Sequence, residues 1–245
     1  MTNSLTRRPF RLLPLLVMVM TIAAAACSSD TAVESGTTTE PSTTSTTTEP
    51  TTTTTEAPTG PTPPESMPGD VIEFGPTAGD QIAVVGVAHD DELNVRIAPG
   101  TEFEIIETLD PLADEVIALG ENRLLASSFW VEIQTADRPG WVNEAFVGFL
   151  GVSRELDSDV VATDAVAIGQ GIAAGYVSTE PPSRVTLVAN EGETVIFDVL
   201  DIGDDAVKGY RLTVVTEPVS GGTGVASYTE QTICSRGLAQ DLRCV

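Results

Sequence analysis

Nucleophilic and general acid–base chemistry needs a base held beside a nucleophile. Among its 245 residues this chain has one histidine, His89. It stands in the polar run Ala88-His89-Asp90-Asp91-Glu92, which reads as a solvent-facing loop rather than a catalytic base. The sequence holds no Gly-x-Ser-x-Gly elbow, no His-Glu-x-x-His pair and no glycine-rich phosphate loop ahead of a helix. A zinc site would be short of ligands. With 36 acidic residues some carboxylates must lie close together, so paired carboxylates are the one catalytic class left open. Asp201, Asp204 and Asp205 share a Gly-containing loop and have the oxygens a calcium ion takes. Their spacing matches no EF-hand, and a solvated turn is the preferred reading. The expectation is a non-enzyme with no cofactor and no metal.

The elements that would position any binding surface begin at Leu93-Asn94-Val95-Arg96, whose alternation puts Leu93 and Val95 on one face of a strand. Pro99 pre-sets φ and Gly100 tolerates positive φ, so Ala98–Thr101 is a turn. Further short apolar runs follow at Ile105–Leu109, Val116–Leu119, Phe129–Ile133 and Trp141-Val142, separated by Gly, Pro and Asp signals. Short strands with such spacing make a small barrel or sandwich. The set Leu93-Asn-Val-Arg96, the Pro99-Gly100-Thr101 turn, Trp130-x-x-Ile133 and Gly140-Trp141-Val142 resembles the bacterial SH3-like (SH3b) domain over residues 80–151. Ile97 and Ala98 stand where that family usually has a Ser-Gly or Ser-Ala pair. The run Glu121–Ser128 reads as a loop longer than the family often has there.

At the start, Arg7, Arg8 and Arg11 precede an apolar core, Leu12–Ile22, too short to span a bilayer and read as a signal peptide. Ala24-Ala25-Ala26-Cys27 resembles a bacterial lipobox, with Ala24 where Leu is usual; the alternative is an ordinary cleavage site. The resemblance implies lipidation of Cys27. Thr6-Arg7-Arg8-Pro9-Phe10-Arg11 also resembles the twin-arginine export signal, which leaves the export route open. Residues 27–70 repeat a Thr/Glu/Pro theme, as in Thr46-Thr47-Thr48-Glu49-Pro50, with too little apolar surface to offset the entropy of ordering. They read as a disordered stalk. The formal charge of −24 excludes nucleic acid as a partner and disfavours direct contact with anionic lipid.

After residue 151 the pattern changes. Val161, Ala165, Ile168, Ile172 and Tyr176 recur at helical spacing, predicting one amphipathic helix over about 157–177, capped by Ser158 or Asp159. Gly169, Gly171 and Gly175 inside it point to close backbone packing. Four strand-like runs follow: Arg184–Ala189, Thr194–Leu200, Tyr210–Thr216 and Val225–Ile233. One helix on an antiparallel meander is an α+β layout. Cys234 and Cys244 remain once Cys27 is lipidated, and in an oxidising compartment they pair as a disulfide.

The expected whole is mainly β. A signal peptide (1–26) and a stalk (27–70) precede a small SH3-like β-barrel (71–151) and an α+β domain (152–245). The protein would be exported and anchored through the lipid on Cys27 to the outer face of the bacterial cell membrane. The SH3-like resemblance implies a non-catalytic module that binds peptidoglycan peptides or an envelope protein, with Phe103, Trp130 and Trp141 as the contact residues. Two other readings stay open: a cell-wall hydrolase or regulator that the SH3-like part targets, and a structural protein–protein interaction lipoprotein.

Overall fold

The computed structural model describes residues 60–180 and 182–245. The signal peptide, Cys27 and most of the stalk lie outside the described residues. Within them the fold is mainly β with one short α-helix. In chain order the strands are β1 (Asp70–Val71), β2 (Gln81–Val84), β3 (Leu93–Arg96), β4 (Ile105–Leu109), β5 (Val116–Leu124), β6 (Phe129–Gln134), β7 (Pro139–Asn143), β8 (Val147–Leu156) and β9 (Val161–Ala162). Helix α1 (Ala165–Ala173) comes next, then β10 (Arg184–Glu191), β11 (Thr194–Leu200), β12 (Val207–Val219) and β13 (Gly222–Cys234).

All the pairings are antiparallel, and the strand path runs β10-β11-β12-β13-β8-β2-β5-β6-β7-β3-β4, with β1 on β5 and β9 on β13. The expected closed barrel is therefore corrected to an open sheet, whose terminal strands β4 and β10 do not pair with each other. The cause is β8. Its start pairs with β2 through Ala83 and Gly148, and its remainder pairs with β13 from Phe149 to Leu156. The domain boundary expected after residue 151 falls inside this strand, so the two expected domains share one sheet.

Alternation in β3 holds as read: Leu93 and Val95 are buried and Asn94 and Arg96 half-buried. They join Ile82, Val84, Val131, Ile133, Val142 and Phe149 in one apolar core. A second core lies under α1, where Ile168 and Ile172 meet Val195, Phe197, Leu212 and Val214. Between the two, Val85, Leu200 and Ile233 form a small third cluster against Leu150.

Three local expectations are corrected. The helix starts at Ala165, not near 157, because Asp164 in extended geometry accepts from Ala167 N–H and caps it. Val161 instead lies in β9, more than half exposed. Residues 121–124 are strand rather than loop: Gly120, at φ +92°, bends β5, and its pairing with β6 resumes at Asn122. The end of the expected stalk is held against the sheet, since Arg138 Nη1 donates to Pro61 O at 2.6 Å and β1 pairs with Leu124 and Arg123.

The junction of the two cores carries a buried ion pair that sequence reading missed. Arg211 on β12 donates from Nε and Nη2 to Asp198 on β11, both at 2.8 Å. Its Nη2 also reaches Val84 O, and Gly86 N–H donates to Asp198 Oδ2, again at 2.8 Å each. A bidentate pair with a further backbone partner on each side ties β2 to β11 and β12.

Candidate functional site

A hollow of about 450 Å³ opens where the first core meets the C-terminal sheet. Its floor and walls come from the 86–92 loop, from β3, and from the first residues of β10. The loop leaves β2 through Gly86, at φ +65°, where a Cβ would meet Leu200 Cδ1 at 2.6 Å. It is then pinned to the outer edge of β10, where His89 N–H donates to Leu187 O at 3.0 Å.

Two guanidinium groups line this hollow. Arg184 lies over the Phe146 ring, 5.2 Å from its centroid, and donates to Ala145 O from Nη2 at 3.1 Å. Asp201 stands 3.7 Å from its Nε, outside hydrogen-bond reach, and that Nε is buried with no described acceptor. Stacking plus one backbone contact orients the planar group and leaves donors for a ligand. Arg96 donates from Nη1 to Phe103 O at 2.6 Å, which fixes it across the turn. Trp130 and Phe146 supply the apolar wall.

The hollow continues past Asp91, Glu92 and Asn94 into a second of about 450 Å³, lined also by His89, Asp90 and Asp110. A third, of about 230 Å³, shares His89, Asp110 and Pro111 and ends at Glu191. The three share walls and together make a groove whose first part holds Arg96 and Arg184 beside Asp91, Glu92 and two aromatics, and whose remainder is acidic. Such a surface suits an extended ligand that carries both a carboxylate and an amine.

The three residues expected to contact ligand are not brought together here. Trp130 lines the groove, though it is only 2% exposed and its Nε1–H donates to Ser128 Oγ at 2.9 Å. Trp141 is 1% exposed and has no surface to offer a ligand. Phe103 is half-buried and enters through its carbonyl, which holds Arg96. Asn94 and Arg96 line the groove. Neither Arg184 nor Phe146 was among the expected contact residues, and the pairing of an arginine with an aromatic 38 positions away leaves no local signal.

His89 is exposed, and neither hollow it lines contains a serine or cysteine. In the 201–205 loop the carboxylates already have partners: Asp204 Oδ1 accepts from Ala206 and Val207 N–H, and Asp205 pairs with Arg236. The two amide hydrogen bonds, Val207 first, hold the Asp204 carboxyl below its ordinary range. Among the described residues no group of three or more His, Cys, Asp or Glu is placed to hold a metal ion. Cys234 and Cys244 stand at disulfide distance, with Cα atoms 5.2 Å apart. No helix among the described residues is long and apolar enough to cross a membrane. Compared with known proteins, the chain matches no family model, no curated protein and no solved structure.

Proposed function

We propose that this protein is a non-catalytic binding lipoprotein of the bacterial cell envelope, anchored through Cys27, whose SH3-like strands over residues 71–151 take a short peptide in the groove. The peptide is a peptidoglycan stem peptide or an exposed segment of an envelope protein. One observation carries the reading: Arg184 and Arg96 stand beside Trp130 and Phe146 at one end of a groove whose other end is acidic. A peptide carboxylate pairs with the guanidinium donors, an apolar side chain lies against Phe146, and an amine faces Asp91 and Asp110. Against an overall charge of −24, this hollow is balanced, with Arg96 and Arg184 set beside Asp91 and Glu92.

The test is co-sedimentation of the full chain with purified peptidoglycan, beside the Arg184→Ala variant. Loss of a charge-assisted contact worth roughly 1.5–3 kcal/mol lowers retention by about tenfold or more. Retention that Arg184→Ala leaves unchanged overturns the groove as the site. Release of soluble muropeptides by the wild-type chain overturns the non-catalytic reading.

A further inference from the structure

All three tyrosines of the chain meet on the helix side of the C-terminal sheet. The rings of Tyr176 and Tyr210 lie 5.2 Å apart, and the Tyr176 and Tyr228 hydroxyls are hydrogen-bonded. Tyr176 O–H also donates to Glu230 Oε2 at 2.5 Å. Glu230 on β13 is nearly fully buried, and Arg154 on β8 grips it with Nε to Oε1 at 2.8 Å and Nη2 to Oε2 at 3.0 Å. Packing alone does not call for this network. The Arg154 side chain is 62% exposed and that of Glu230 only 4%, so solvent screens one half of the pair and it adds little stability by itself.

Beside it opens a hollow of about 460 Å³, within the roughly 300–1,000 Å³ of small-molecule sites. Tyr210, Glu230, Thr232 and Arg154 line it from the sheet, Arg243 and Cys244 from the C-terminal loop, and Asp204, whose Oδ1 is taken up by the Ala206 and Val207 amides, from the loop before β12. That loop is fastened twice: by the Cys234–Cys244 pair and by Val152 N–H donating to Leu242 O at 3.0 Å. Arg154 keeps its Nη1 donors, for which no described residue is an acceptor. The Arg243 side chain is 79% exposed, with a single contact to Asp241.

We propose that this hollow binds a carboxylate-bearing sugar residue, its carboxylate on Arg243 and the Nη1 donors of Arg154, its ring against Tyr210 and a hydroxyl on Thr232. The pairing follows from the donor set. Two planar guanidinium groups suit a carboxylate, and the tyrosine ring and threonine suit a ring with one apolar face and a hydroxylated rim. Glu230 is a positioning residue, because it holds Arg154 in place with two of its hydrogen bonds. This site is independent of the peptide groove.

Titration of the full chain with D-glucuronate, glucose and tetragalacturonate, followed by NMR shifts, tests it. Glucuronate binds at least tenfold more tightly than glucose, Arg243→Ala erases that preference, and Arg184→Ala leaves it intact. Tighter binding of tetragalacturonate assigns the site to a polymeric acidic glycan; equal binding assigns it to a free sugar acid. The exposed position of Arg243 keeps the variant folded, which circular dichroism checks. Reducing the disulfide loosens the Arg243 wall and weakens glucuronate binding. The proposal fails if neither acidic sugar gives a saturable shift, or if Arg243→Ala binds glucuronate as well as the parent does.

Discussion

Gly169 and Gly171 lie two residues apart in α1, and the structure gives them opposite roles. A Cβ on Gly169 would collide with Phe197 Cε2 and meet Val195 Cγ2 at 3.0 Å, whereas at Gly171 the nearest neighbour is Val160 Cγ1 at 3.9 Å. Gly169→Ala is expected to destabilise by about 1–3 kcal/mol through overpacking. Gly171→Ala is expected to stabilise by about 0.5–1 kcal/mol, since alanine loses less backbone freedom in a helix. Urea unfolding of the two variants checks the pair. The sequence suggested close packing for all three helix-region glycines, and it is right for one. Composition marks a glycine, but only the neighbour across the gap says why it is there.

At the scale of elements, β13 with the Tyr176 turn after α1 forms a unit with its own pH dependence. Burial, then hydrogen bonding to Glu230 and Tyr228, raises the Tyr176 hydroxyl far above its ordinary 10.0, and burial also raises Tyr228. The folded state therefore keeps protons that the unfolded chain releases above about pH 10. Their contribution to stability is complete below that value and is lost as pH rises toward the raised pKa values. Tyr176→Phe and Tyr228→Phe together should flatten the fall in stability between pH 9 and 11. Thermal unfolding across that range, with tyrosinate absorbance as the probe, measures it; an unchanged slope contradicts the assignment. The strands β11 and β12 were legible in the sequence because Val195, Phe197, Leu212 and Val214 alternate onto one buried face, whereas in β10 Val185 is exposed and a bulge follows Leu187. The helix start was not, because Val161 keeps helical spacing with Ala165 while lying in a strand.

For the whole molecule the deciding feature is the Asp198–Arg211 pair at the junction of the two cores. Asp198→Asn leaves the Arg211 charge buried without its partner and is expected to cost about 3–5 kcal/mol. Replacing both, as Asp198→Leu with Arg211→Met, is expected to cost less than either single change. Denaturant midpoints compare them, and a double variant as unstable as the sum of the singles contradicts the pairing argument. The same junction shapes the groove, because Gly86, which leads into the 86–92 loop, donates its N–H to Asp198.

Sequence alone determined which residues turn inward in β3, that the chain bends at Pro99-Gly100, and that Cys234 and Cys244 would meet, because strand period, φ preference and cysteine arithmetic are local or compositional rules. It did not determine that β8 would run through both parts and keep the sheet open. Nor did it place Arg184 on Phe146 or gather three tyrosines round Glu230. Those depend on which strands lie side by side, and pairing across a hundred residues is settled by burial in three dimensions, where one buried carboxylate and its arginine can join two cores.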